Sequence, residues 1–203
     1  MIKPRKQAKQ SAVRSTSIFY HPLSKTSILD SDLEHDYLIL KIFQQKSEYL
    51  KTQPEPLFLN VNGKIRRYTP DLESIESGDG FIDEVKHSTK AMSPENIDKF
   101  SIITAACAEQ AKTFRVMTEK EIYNGERHKN LRYLAPVLKH PSPIEEVQIL
   151  IASLDCKSMH IKELMQHIKN MGMKPCLIRR ALAHKLLICD LTKKYSDLII
   201  SWA

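Results

Sequence analysis

Apolar residues at Leu33, Tyr37, Leu40 and Phe43 recur at helical spacing, and they predict a helix over SDLEHDYLILKIFQQKSEYLKTQP that stops before Pro54. The pattern then changes period. LFLNV (residues 57–61), the dipeptide Asn62-Gly63 and KIRRYTPD (residues 64–71) predict two strands joined by a tight turn, because Asn-Gly accepts the positive φ angles of a hairpin. A third strand, GFIDEVK, follows the turn Ser77-Gly78-Asp79-Gly80. Ser93-Pro94 supplies an N-cap and a first-turn proline for a helix running to about Ala111, with Ile97, Phe100, Ile103 and Cys107 facing inward. TFRVM (residues 113–117) reads as a short strand, and Thr118 with Glu121 as a capping box opening another helix. The expected order is helix, three strands, helix, strand.

Pro141-Ser142-Pro143 interrupts any regular element and marks a boundary. Beyond it, Ile144 to Leu154, His160 to Lys169 and Pro175 to Lys185 are helix-like, and LLICDL and DLIISW are short apolar runs of strand character. Three helices followed by a β-hairpin outline a winged helix, with Pro175 to Lys185 in the recognition-helix position.

The 203 residues are 42% hydrophobic, enough for buried cores, and no apolar run reaches the roughly 18 residues a membrane span needs. MIKPRKQAKQS lacks the apolar stretch of a signal peptide, so a soluble intracellular protein with no membrane partner is expected. Cys107, Cys156, Cys176 and Cys189 are scattered singly, without zinc-ligand spacing, and read as reduced thiols. Charge changes the picture more. Residues 1–29 hold six Lys/Arg and no acid, so only one of the seven net positive charges falls on residues 30–203. A basic, Ser/Thr-rich arm gains phosphate-backbone affinity without reading sequence, which makes Lys3, Arg5, Lys6, Lys9 and Arg14 candidate DNA contacts. A solvated tail or a transit peptide has similar composition. Residues 143–203 carry nine Lys/Arg against six Asp/Glu, with Arg179, Arg180, His184 and Lys185 on one basic helix. That modest excess suits a mixed role in DNA contact and assembly, with Arg179 and Arg180 as the DNA candidates.

Within the predicted strands, Asp71 ends the second, while Glu84 and Lys86, two residues apart on the third, face the same side. Two carboxylates and an ammonium then converge. Hard cations such as Mg²⁺ prefer oxygen ligands, so Asp71, Glu84 and the carbonyl of Val85 could hold one or two ions. With Lys86 beside the attacking water, the set suits phosphodiester hydrolysis. The plainer alternatives are a turn aspartate after Pro70 and an exposed same-face pair. Glu34 could add a further ligand from the preceding helix, yet Ser31-Asp32-Leu33-Glu34 also fits a capping box that only satisfies a backbone N–H. His87, next to Lys86, is a candidate phosphate contact; the remaining histidines have no partner at a ligand spacing.

The stretches SDLEHDYLILKIF, TQPEPL, GKIRRYTPDL, FIDEVK, SPENIDKFSII, FRVMTEKEI and NLRYL, spanning residues 31–134, resemble in order the TnsA family. These proteins are the endonuclease subunits of heteromeric, Tn7-like transposases, within the PD-(D/E)xK restriction-endonuclease-like nucleases. The resemblance implies that Glu34, Asp71, Glu84 and Lys86 form the active site, with Gln53 near it. It departs at Leu72, where relatives carry an aromatic residue after Pro-Asp, and it keeps Glu84 where some members have glutamine. It further implies nicking of the non-transferred strand at the 5′ ends of a transposon, beside a DDE transposase that cuts and joins the 3′ ends, with an ATPase regulator as a further partner.

The chain is thus expected to be an α/β protein: a basic arm (residues 1–29), a PD-(D/E)xK nuclease core (30–140) and a C-terminal winged-helix domain (143–203). The expected cofactor is Mg²⁺, with Mn²⁺ able to replace it, and the expected substrate is double-stranded DNA at transposon ends. A bacterial cytoplasmic location, at the nucleoid when acting, follows from that reading. The alternatives are a stand-alone restriction or repair nuclease and a non-catalytic DNA-binding assembly protein.

Overall fold

A computed structural model of the chain describes residues 17–21, 25–61 and 63–202. Lys3, Arg5, Lys6, Lys9 and Arg14, the candidate DNA contacts of the arm, lie outside the described residues. The later part of that arm is a hairpin, β1 (Ser17–His21) paired antiparallel with β2 (Lys25–Leu29).

The first helix, α1 (Asp32–Gln44), begins where the Ser31 side chain accepts from the Glu34 N–H and ends at Gln45, whose φ of 54° is left-handed. It stops well short of Pro54. Ser47–Thr52 is instead a strand, β3. The helical period carries across the break because Leu50 lies seven residues beyond Phe43, in phase with the same face, while Gln44, Gln45 and Lys46 are the polar interruption.

The predicted hairpin forms as β4 (Leu57–Val61) and β5 (Lys64–Tyr68), but as a separate two-stranded ribbon. A second strand escapes sequence reading, β6 (Leu72–Glu76), and is followed by β7 (Asp79–Val85). Asp71 accordingly lies in the link between β5 and β6 and does not end a strand. β6 is hard to read because Ser74, fully buried, occupies one of its inward positions in place of an apolar residue. After a single turn α2 (Ser88–Ala91), helix α3 (Pro94–Ala108) carries the chain over to β8 (Lys112–Met117), which runs parallel to β7. Ile103 and Cys107 face inward on α3 as expected, and Phe100 packs partly buried against the same cluster. Ile97 does not; it is exposed. The central sheet therefore has the order β3-β6-β7-β8, antiparallel except for the last pair. This mixed α/β arrangement is compatible with a restriction-endonuclease-like fold.

Strand alternation assigns the two faces. Phe81, Asp83 and Val85 of β7 turn toward α1, and Ile82 and Glu84 turn toward α3 and the ribbon. On the α1 side, Asp83 is fully buried and accepts from the Tyr37 hydroxyl at 2.8 Å and from Arg115 Nε at 2.6 Å. Lys41 joins it from α1, paired with Glu76 and 3.2 Å from Ser74 Oγ. Every charge taken out of water there has a partner, which is the condition for keeping charges inside a fold.

The C-terminal region holds α4 (Glu119–Ile122), α5 (Arg127–Leu134), α6 (Ile144–Ala152), β9 (Ser158–His160), α7 (Ile161–Asn170), α8 (Cys176–Ala183) and β10 (Ile199–Ser201). The capping box of Thr118 and Glu121 forms as predicted. LLICDL and DLIISW do not make the expected hairpin. β10 pairs antiparallel with β9, and LLICDL contributes one bridge, Ile188 to Ser201, because the intervening residues leave helix α8 through tight turns before reaching the sheet edge.

Helix α1 is buried on both sides. Leu33, Tyr37, Leu38 and Ile42 pack against the sheet, while Ile39, Leu40 and Phe43 pack into the cluster built by α5 to α8. A helix apolar around most of its circumference belongs inside a structure. Leu38→Ala is therefore expected to lower stability by about 3 kcal/mol, read from urea unfolding, because the void lies between two packed layers that cannot both collapse onto it.

Candidate active site

Asp71 is set by three backbone features. Pro70 before it is buried. Its own carbonyl accepts from the Gln53 N–H at 2.9 Å, and Gln53 adopts a left-handed φ of 44°. Its Oδ2 accepts from the Val85 N–H at 2.7 Å. The link from β5 to β6 is thus pinned to the end of β7, and Gln53 acts there through its backbone.

Glu84, the residue before Val85 on β7, is nearly buried and held at both oxygens. Its Oε1 lies 2.6 Å from Lys86 Nζ and 3.6 Å from Lys99 Nζ, and its Oε2 accepts from the Tyr68 hydroxyl at 2.5 Å. Lys99 stands 4.7 Å over the Tyr68 ring, and Lys86 5.7 Å over that of Phe100. The convergence of Asp71, Glu84 and Lys86 read from spacing is present: all three line one open cleft of about 860 Å³.

Glu34 lines the same cleft, and it also makes the cap. Its Oε1 accepts from Ser31 Oγ and its Oε2 from the Asp30 N–H, each at 2.9 Å. Glu34 thus satisfies a backbone N–H at the start of α1, that of Asp30 and not that of the N-cap Ser31, while its side chain lies on the cleft wall. His87 lines the cleft too, but as the residue preceding α2 it is well exposed and its Nδ1 turns to Glu119, 3.4 Å away.

Electrostatics ties the three acids together. Burial, then the charges of Glu84 and Glu34, push the Asp71 carboxyl up to about 8 from 3.8, against the Val85 hydrogen bond and Lys86. Burial raises Glu34 as well, with Glu84 adding repulsion, and burial followed by Glu84 raises the Tyr68 hydroxyl, keeping it a proton donor to that carboxylate. A carboxyl whose proton affinity is higher folded than unfolded stabilises the fold below about pH 4 and progressively loses that contribution as pH rises to about 8. Metal-free Asp71→Asn, which keeps an acceptor for Val85, should therefore gain stability relative to the wild type as pH rises from 5 to 8; parallel unfolding curves would remove the idea.

The donors are all oxygen: three carboxylates and the Val85 carbonyl. In donor type alone such oxygens suit a hard divalent cation. Their placement does not: among the described residues no group of three or more His, Cys, Asp or Glu side chains is arranged to hold a metal ion. In the arrangement shown, the ammonium groups and Tyr68 occupy Glu84.

Tyr68 and Lys99 are the two site residues that sequence reasoning misses. Tyr68 immediately precedes Thr-Pro-Asp and has no motif of its own. Lys99 leaves a usable signal, since it shares with Ile103 and Cys107 the four-residue spacing of a buried helix face. Arg179 and Arg180 engage none of the carboxylates of the cleft. Arg179 Nε donates to the Tyr133 carbonyl at 2.8 Å with the guanidinium 4.2 Å over that ring, and Arg180 bonds Glu146 and the Pro141 carbonyl. Both arginines thereby fasten α8 to α5 and α6.

In comparisons with known proteins, residues 39–119 match the family described as TnsA-like endonuclease N terminal. The stretch contains Asp71, Glu84 and Lys86 and begins five residues after Glu34. No curated protein matches the chain.

Proposed function

We propose, from the premise that residues 39–119 are a TnsA-like endonuclease N-terminal domain, that this protein hydrolyses the non-transferred DNA strand at the 5′ ends of a transposon. The observation that carries the reading is the meeting of Asp71, Glu84 and Lys86 in one cleft, within the matched residues, from a link, a strand and a strand end. Asp71, Glu84, Glu34 and the Val85 carbonyl would hold Mg²⁺, or Mn²⁺ in its place, which when bound supplies a water of lowered pKa and neutralises charge on the phosphate.

The chain's own groups do the rest. The Val85 N–H and the Gln53 N–H hold Asp71 in place, and Tyr68 fixes the rotamer of Glu84. Lys86 keeps a cation at the carboxylates, where it stabilises the attacking hydroxide and the negative charge growing on the phosphoryl oxygens. Attack forms a bond from the water-derived oxygen to phosphorus and breaks the bond to the 3′ oxygen, which takes up a proton from solvent, leaving a 5′-phosphate and a 3′-hydroxyl.

For residues 143–203 we propose a winged-helix module. The order α6, β9, α7, α8, then the Ile188 bridge and β10, supports it, with the small sheet beside three helices. With Arg179 and Arg180 occupied internally, its surface suits contact with a DDE transposase or an ATPase regulator better than deep DNA readout. The test is reconstitution with the DDE transposase of the same element on end-labelled transposon DNA. Cleavage of the 5′ end strand that requires this protein and a divalent cation supports the reading, and full excision without it removes it. A stand-alone nuclease would cut the same DNA without the transposase.

A further inference from the structure

The β4–β5 ribbon stands outside the central sheet and forms one wall of the cleft. Its twelve residues, Leu57 to Tyr68, carry Lys64, Arg66 and Arg67 and no acid. The register sorts them. Leu57, Leu59 and Tyr68 face inward and are buried, and Arg66, paired with Leu59, shares that side; Arg66 and Arg67 both line the cleft. Phe58, opposite Arg67, and Ile65, opposite Asn60, face outward, and each is 66% exposed. The ion pairs found among the described residues include none to Lys64, Arg66 or Arg67. Single exposed apolar residues are common, as at Met92 and Ile188; what sets the ribbon apart is that Phe58 and Ile65 stand beside three cations on two strands that carry no acid.

We infer that the β4–β5 ribbon seats in a groove of the DNA duplex beside the cleft, with Arg66 on the backbone of the strand lying over the carboxylates and Phe58 and Ile65 against the groove. A two-stranded ribbon is one of the few elements that fits the major groove, about 12 Å wide. Positive charge without acid attracts phosphate and offsets the repulsion that the carboxylate cluster exerts on DNA, so the ribbon bridges the charge mismatch between the two. The inference rests on the nuclease reading only for the choice of strand; the binding itself stands apart from cutting.

The full chain is titrated into a fluorescent transposon-end duplex at several salt concentrations, with Lys64→Gln/Arg66→Gln/Arg67→Gln and Phe58→Ser/Ile65→Ser beside the wild type. The triple variant is expected to bind roughly tenfold or more weakly at low salt, with a salt slope shallower by about 0.9 for each phosphate it no longer neutralises. The apolar variant should weaken binding with its slope unchanged. Melting curves matching the wild type establish that both fold, as exposed positions should allow. Wild-type affinity and slope in both variants would overturn the inference. So would loss of transposase co-sedimentation with DNA binding intact, which would give the ribbon to a protein partner. A protein whose ribbon variants lose DNA while its cutting is indifferent to Asp71→Ala would retain this inference and lose the nuclease reading.

Discussion

Asp71→Ala and Glu84→Ala should each reduce nicking in the reconstituted system by about 10³-fold or more, with the fold retained. The two losses have different structural accompaniments. Removing Asp71 leaves the Val85 N–H without its acceptor, at a cost of about 1–3 kcal/mol, but it also relieves a carboxyl that burial and two neighbouring acids disfavour. Removing Glu84 leaves Lys86, Lys99 and the Tyr68 hydroxyl facing the cleft without their common acceptor. Rates should therefore collapse alike, whereas melting temperatures should part, with Asp71→Asn the most stable of the set at neutral pH. Unchanged nicking by both alanine variants, with wild-type dependence on divalent cation, would end the assignment of these carboxylates. Their joint effect should not be additive, since they act on one centre.

How far the site can be read from sequence has a physical pattern. Asp71, Glu84 and Lys86 are legible because strand alternation puts Glu84 and Lys86 on one side and Pro-Asp announces a turn; those are local rules. The strand carrying Leu50 is not, because a residue can be in phase with a helix and still belong to a strand once three polar residues break the chain's direction. β6 is hidden since its buried positions are Leu72 and Ser74, and a serine satisfied by a lysine from α1 leaves no trace in hydrophobic periodicity. The three helices beyond Pro143 come through, while the pairing of the strands around them does not. Ser158–His160 is three residues long and acquires strand character only from Ile199–Ser201, some forty residues on. Asp83 illustrates the same limit beside the site itself. It neighbours Glu84 and looks equally acidic, yet alternation sends it to the opposite face, into the pair with Arg115.

Lys86→Met is expected to lower nicking by 10²- to 10³-fold, about 3–4 kcal/mol of transition-state stabilisation, with unfolding nearly unchanged. The fold is spared because Glu84 keeps the Tyr68 hydroxyl and gains the undivided charge of Lys99. Lys99 is also the reason the experiment is informative. It approaches the same Glu84 oxygen as Lys86, at 3.6 Å against 2.6 Å, from a helix whose backbone is fixed by Ile103 and Cys107 in the core. If charge near Glu84 were all that the reaction required, Lys99→Met would cost as much as Lys86→Met, and either lysine would cover for the other. If the ammonium must stand beside the attacking water, only the residue that leaves the strand end on the Asp71 side can supply it. Lys99→Met should then lose well under tenfold, and Lys86→Arg should fail to restore the rate, since a planar guanidinium cannot take the place of a compact ammonium. Equal losses at the two positions would transfer the role from a positioned lysine to the field of the pair.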